Sequence, residues 1–151
     1  MVGFPGEGEE QFANTQAVVQ ELPLAYLHVF SFSDRPGTAA VRMNNHVPGH
    51  TIKARSRKLA ELSRMKRLAY YQRFVGRTVE VLFESKNNHG IWTGLTDNYV
   101  RVGVPSSQQL SNRLQAVVIS GITDGLAVGH LIEPSPLTMI ASQSGKDTNT
   151  L

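Results

Sequence analysis

Nine of the chain's 15 basic residues fall between Thr51 and Arg77. They are Lys53, Arg55, Arg57, Lys58, Arg64, Lys66, Arg67, Arg73 and Arg77, and Glu61 is the only acid among them. Charge of one sign at that density suits one chemistry, the neutralisation of a polyanion such as a nucleic-acid backbone. Its ordinary alternative is the solvated basic face of a packed helix. Further along, Trp92, Tyr99 and Arg101 set flat rings beside a cation. Unpaired bases stack on such rings, and phosphate meets such cations. Core filling for Trp92, and plain solvent exposure for Tyr99 and Arg101, are the competing readings.

Other chemistries find little support. The five histidines, His28, His46, His50, His89 and His130, are scattered, and His46 and His50 flank Pro48-Gly49, which spoils a helical ligand pair. His28, Ser31 and Ser33 share a strand but no acid completes a triad. The run GFPGEG lacks the lysine and spacing of a phosphate loop. With no cysteine at all, this chain holds no disulfide, thiolate zinc site or cysteine-ligated cluster. No catalytic residue and no metal ligand is therefore assigned.

Stepping along the chain gives the elements that position these groups. Val2 to Phe4 read as a strand end, followed by a Pro5-Gly6 turn. Glu9 to Glu21 read as a helix with Phe12, Val19 and Leu22 inward and acids in its first turn. Leu24 to Ser33 alternates aromatic and aliphatic residues on two apolar faces, as in a parallel strand covered on both sides. Asp34 to Thr38 forms the loop after it, where α/β folds place ligand groups. Thr51, as cap, opens a helix ending near Phe74, with Leu59, Leu62, Met65, Leu68 and Ala69 on its apolar face. About 24 residues would span roughly 36 Å.

After Gly76 the period changes from 3.6 to 2. Strands are expected at residues 78–84, 91–96, 99–104, 114–123 and 127–133, with Asp124-Gly125 as a hairpin turn. Five short strands at this spacing point to a small closed barrel of the oligonucleotide-binding type. Residues 134–151 are rich in Pro, Ser and Thr and read as a mobile tail.

The charge is distributed unevenly. Residues 1–52 carry a net −3 and residues 53–77 a net +8, within a whole-chain balance of only +3. No leader sequence and no long apolar run is evident, which leads to the expectation of a cytoplasmic protein without a membrane partner. The expected class is α/β plus all-β. Its parts are an α/β piece over 1–50, a basic linking helix over 51–76, a β-barrel over 77–133 and the tail.

Taken in order, VGFPGEGEEQF, LHVFSFSDRPGTAA, Met43 with Val47-Pro48, Lys53 to Tyr71 and the five-strand module resemble the carboxyl-terminal part of a radical S-adenosylmethionine methylthiotransferase. Ser31-Phe32-Ser33 with Arg35-Pro36-Gly37-Thr38 and Ala40 is similar to that family's Tyr-Ser-x-Arg-x-Gly-Thr-x-Ala pattern, with Phe32 in place of the tyrosine. His46 stands where a glutamine is common. The barrel resembles a TRAM domain, the family's RNA-binding appendage. The resemblance implies a partial TIM-like radical-SAM barrel before the helix. It also implies tRNA, by its anticodon arm, as partner. Gly3, Pro5, Gly6, Glu7, Arg35, Gly37 and Thr38 would line the cofactor end. His28-Val29-Phe30 fits the branch acting on threonylcarbamoyladenosine. The isopentenyladenosine and ribosomal-protein branches are alternatives.

The family's S-adenosylmethionine chemistry uses two [4Fe–4S] clusters, and the cysteines that would hold them are absent here. The expectation is a fragment, not competent alone, from which an N-terminal cluster-binding portion is missing. A stand-alone RNA-binding module, or a remnant whose first 45 residues lack packing partners, are the other readings.

Overall fold

In the computed structural model, which describes residues 1–132, the chain forms two units that part between Arg73 and Phe74. The tail expected over 134–151, and the last residue of the fifth expected strand, lie outside the described residues.

In the first unit, α1 (Glu9–Glu21) starts after an extended Gly8 and carries Glu9 and Glu10 in its first turn, where carboxylates complement the helix dipole. It stops at Leu22, which the following Pro23 forces into extended geometry. Phe12 and Val19 point inward as expected, whereas Leu22 is exposed. Residues 24–33 do not form the regular strand expected of them. Only one parallel bridge is made, in which the Val2 N–H donates to the Phe30 carbonyl at 2.8 Å and the Phe32 N–H to the Val2 carbonyl at 2.7 Å. A ladder needs neighbours, and among the described residues only Val2 supplies one. Phe30, expected to be buried, is consequently 65% exposed.

The second helix, α2 (Gly49–Gln72), begins two residues before Thr51. Pro48 takes the cap position, and its carbonyl accepts from Ile52 N–H. Its buried face is Arg55, Leu59, Leu62 and Ser63. Met65 and Ala69, expected on that face, are exposed. The face does not join two architectures; it closes the first unit. Leu59 and Leu62 pack in one core with Val2, Phe12 and Val19, against which Leu27 and Val29 also rest. Ser63 Oγ accepts from Leu27 N–H at 2.8 Å and donates back to the Leu27 carbonyl at 3.0 Å, while Ser56 and Ser31 hydroxyls meet at 2.8 Å. Residues before Thr51 thus have the partners that the remnant reading denied them.

Lys66 Nζ reaches the carbonyls of Gln20 and Leu22 at 3.1 and 2.8 Å, which satisfies the open carboxyl end of α1. Replacing Lys66 with methionine should cost about 0.5–1 kcal/mol and lower the helical melting temperature by circular dichroism. An unchanged melt would assign Lys66 no capping role.

The second unit is a closed barrel of five strands: β1 (Thr78–Lys86), β2 (Ile91–Leu95), β3 (Arg101–Pro105), β4 (Leu114–Thr123) and β5 (Leu126–Leu131). Their order around the barrel is β1-β2-β3-β5-β4, with β1 closing on β4. Four pairings are antiparallel, and β3 with β5 is parallel. That pattern is the oligonucleotide-binding arrangement expected from the strand spacing. Closure lets β1 pair with both β4 and β2, each along about half of its length.

The period of two sends Val81, Phe83, Val102, Val104, Val117, Ile119 and Ala127 inward, all at most 1% exposed. Leu110, in the connection between β3 and β4, adds a further buried side chain. Leu82 is the pivot of β1. Before it β1 pairs with β4, after it with β2, and Leu82 itself faces both Leu114 and Leu95.

Candidate nucleic-acid interface

The nine cations of the basic stretch meet different fates. Lys53, Arg57 and Lys58 are exposed on α2 and make no ion pair among the described residues. Arg64 is exposed but bound to Glu61, at 2.6 and 3.1 Å. That hydrogen bond holds the Glu61 carboxyl below its ordinary range and raises Arg64 above its own. Lys66 caps α1. Arg67 lies over the Tyr26 ring at 4.8 Å and Arg73 over Tyr70 at 5.9 Å. Arg77, exposed, precedes β1.

Arg55 is different in kind, and its reading as an RNA-contacting group is corrected. It is 5% exposed, with Nη1 bonded to the carbonyl and carboxylate of Glu7 at 2.7 and 2.8 Å and Nη2 to Glu9 at 2.7 Å. Burial alone would lower the Arg55 pKa, but the hydrogen bonds to Glu9 and Glu7 and their charges outweigh it, so the net shift is upward. The guanidinium stays charged and also lies 5.2 Å from the Phe12 ring centre. Buried and already bonded to Glu7 and to the surface carboxylate of Glu9, the guanidinium is not presented to a phosphate.

Glu7 in turn accepts from Gly3 N–H at 2.8 Å and is itself buried. Gly3 has φ +80°, and a Cβ there would run into Ile52. The GFPGEG run is therefore a folded turn built around Arg55. Of the residues expected at a cofactor surface, Gly6, at φ +88°, borders an open depression of about 500 Å³ with Glu7, Asn45 and His46. Arg35 and Thr38 border a second one, of about 360 Å³, with Phe30, Phe32 and Ser33. Gly37 has φ +84° in the turn after Arg35-Pro36, which Thr38 closes by donating its hydroxyl to the Arg35 carbonyl at 2.8 Å. Gly3 and Pro5 border neither depression.

In the barrel the three expected contacts separate. Trp92 is 4% exposed and pairs across strands with Lys86 and Val104, so it fills core and offers no open stacking face. The Lys86 ammonium lies 5.7 Å from its ring. Tyr99 is 67% exposed, and Arg101 sits 3.6 Å from Glu84 at the surface. Tyr99 has φ +62°, unusual for a bulky residue. Thr96 holds it there: its carbonyl accepts from Tyr99 N–H at 3.1 Å, and its hydroxyl from Val100 N–H at 2.9 Å. From residue 74 to 132 the barrel unit has four bases, Arg77, Lys86, Arg101 and Arg113, and four acids, Glu80, Glu84, Asp97 and Asp124. Its charge balances, so the exposed positive charge sits on α2. Sequence reasoning missed the outer groove of β1, where Leu82, Leu95, Leu114 and Tyr99 lie among Glu80, Glu84 and Asp97. The signal was present in the exposed half of the β1 alternation.

No helix among the described residues is long and apolar enough to cross a membrane. No group of histidine, aspartate and glutamate among them could hold a metal ion, and without cysteine the chain does not fit an iron–sulfur cluster.

The TRAM domain family matches residues 72–122. Over 82 residues the chain is 46% identical to the tRNA-2-methylthio-N(6)-dimethylallyladenosine synthase of Thermobifida fusca, covering 54% of this chain and 17% of that protein. It is 35% identical over 102 residues to the threonylcarbamoyladenosine tRNA methylthiotransferase MtaB of Aquifex aeolicus, covering 68% and 24%. The MtaB protein of Bacillus subtilis is 31% identical over 123 residues, covering 79% and 27%. The chain thus spans between about a sixth and a third of the length of the curated relatives it matches.

Proposed function

Because residues 72–122 form a TRAM domain and the chain is a relative of the carboxyl-terminal region of tRNA methylthiotransferases, we propose that it holds tRNA for methylthiolation, by the anticodon arm, in the cytoplasm. The observation that carries this reading is the row of exposed, uncountered cations Lys53, Arg57 and Lys58 on α2, in a chain that also bears an RNA-binding type of barrel. Arg67 and Arg73, half-exposed and exposed on the same helix, add to its positive charge.

The first unit is the part of a radical-SAM barrel nearest the cofactor in this reading. Its support is the parallel Val2–Ser31 bridge at the start of an α/β crossover and the Arg35–Thr38 turn beyond it. Arg35 and Thr38 would meet the polar end of S-adenosylmethionine, with Gly37 supplying the turn and Gly6 an open backbone nearby. Gly3 and Glu7 would act from behind, by holding the loop shape. When bound in a whole enzyme, the clusters supply the electron that opens the sulfonium. Here they would come from a companion portion, whose strands would cover the exposed Phe30 face. The threonylcarbamoyladenosine branch is favoured by His28-Val29-Phe30 before the Ser31–Thr38 run.

The test is binding of the chain to a tRNA by filter retention at several salt concentrations. Three phosphate contacts give a slope of log K against log salt of roughly −2 to −3. Exchanging Lys53, Arg57 and Lys58 together for glutamine should flatten that slope by about the same amount and abolish tight binding at low salt. A slope that survives the triple exchange moves the contact elsewhere, and no retention at low salt ends the reading.

A further inference from the structure

The outer face of the barrel carries a groove that phosphate binding does not explain. Its floor is a row of leucines in register across three strands, Leu114 on β4, Leu82 on β1 and Leu95 on β2. Leu82 and Leu114 are 49% and 56% exposed. Outward positions of a small barrel are ordinarily polar, and two exposed leucines beside a half-buried third imply an occupant. At one side stands Tyr99, its ring presented to solvent by the Thr96 hydrogen bonds. The rim consists of Glu80, Glu84, Asp97, Thr78 and Thr96, and the groove holds about 640 Å³. Glu84 faces Arg101, while Glu80 and Asp97 have no partner among the described residues.

Three carboxylates around an apolar floor repel phosphate and accept hydrogen bonds. A neutral planar group with N–H donors on one edge meets both demands. We propose that this groove binds one unpaired nucleobase bearing an exocyclic amino group, stacked on Tyr99 over the leucine row, with Glu80 or Asp97 accepting its amino protons. The inference rests on the RNA reading above and adds to it the class of base preferred. Cytosine, adenine and guanine all carry exocyclic amino protons, whereas uracil has none and sets carbonyl oxygens on either side of its single ring N–H donor.

The experiment uses the full chain with labelled cytidine and uridine hexanucleotides, read by fluorescence anisotropy at one salt concentration. Cytidine should bind about tenfold more tightly than uridine. Tyr99→Asn, which removes the ring but tolerates the left-handed backbone, should weaken the cytidine hexamer about tenfold to a hundredfold, and Tyr99→Phe should restore it. The Glu80→Gln, Asp97→Asn double variant carries the decisive sign. If the carboxylates read the amino edge, it weakens cytidine, tightens uridine and erases the preference. If it tightens both hexamers equally, the carboxylates merely repel phosphate and the proposal is overturned. Free cytidine and uridine, followed by amide shifts at Leu82, Leu114 and Tyr99, separate this from the wider reading. Shifts with cytidine alone keep the base site even should tRNA retention fail, and shifts with neither nucleoside remove the base site while leaving helix-borne tRNA binding standing.

Discussion

Exchanging Arg55 for methionine will unfold the first unit and leave the barrel folded. The change removes the charge that faces Glu7, whose side chain is 3% exposed, and leaves that carboxylate in the interior with only the Gly3 N–H. Breaking a buried pair by deleting one partner costs about 3–5 kcal/mol. A unit of this size has little more stability than that to lose. Two independent signals report the two units. Both α-helices among the described residues belong to the first, so ellipticity at 222 nm follows it. The chain's one tryptophan, Trp92, is buried in the barrel and reports the second by fluorescence. The expected result is a much reduced helical signal beside an unaltered tryptophan transition. A coordinated loss of both, or a loss of neither, would contradict it. Removing both charges, Glu7→Leu with Arg55→Met, should recover much of the loss, since a buried pair contributes little over apolar residues of similar volume.

Gly94→Ala will do the reverse and disrupt the barrel. A Cβ at residue 94 would press on the carbonyl of Leu82 and stand 2.8 Å from the Cα of Phe83. Both are backbone atoms of the opposite strand and cannot rotate away. The register of β1 shifts between Phe83 and Ser85 at this point, so the two backbones approach unusually closely. Overpacking against backbone should cost about 3 kcal/mol or more. For a domain this small, that lowers the tryptophan-monitored melting temperature by roughly 12–24 °C. Gly103 provides the contrast. A Cβ there meets only side-chain atoms of Leu126 and Ile91, which can shift, so Gly103→Ala should be several-fold milder. Equal effects at the two positions would show that backbone contact is not the cause.

These two sites also explain what could be read from the residues alone. Strands between Thr78 and Leu131 were legible where the sequence alternates, as in Thr78–Glu84, and the Asp124-Gly125 turn marks its hairpin. Their order was legible only through the barrel class, because the parallel β3–β5 pairing joins segments that no turn connects. Trp92 was misplaced because Ile91-Trp92-Thr93-Gly94-Leu95 is apolar on both faces, and a buried glycine gives no hydrophobic signal. The length of α2 was legible, whereas its buried face was not. Leu59 and Leu62 follow the helical period, but their neighbours on that face are Arg55 and Ser63. Those two are inward because their partners, Glu7 and Leu27, come from 48 and 36 residues away. A local window cannot see a carboxylate at that distance, so the charge of Arg55 read as solvent-facing. Lys53, Arg57, Lys58 and the ring of Tyr99 are exposed, as the same local reasoning expects where nothing distant claims a side chain.

The strand order has a consequence for synthesis on the ribosome. Among the described residues β5 is the last strand to be made, yet it is inserted between β3 and β4. Until Leu126–Leu131 has emerged, the nascent sheet runs β4-β1-β2-β3 and is open along both flanks. Two unsatisfied margins on an apolar curved sheet are templates for intermolecular pairing. A premature stop before codon 126 should therefore yield an aggregating product and not a shortened working one, and the final six-residue strand acts as the keystone.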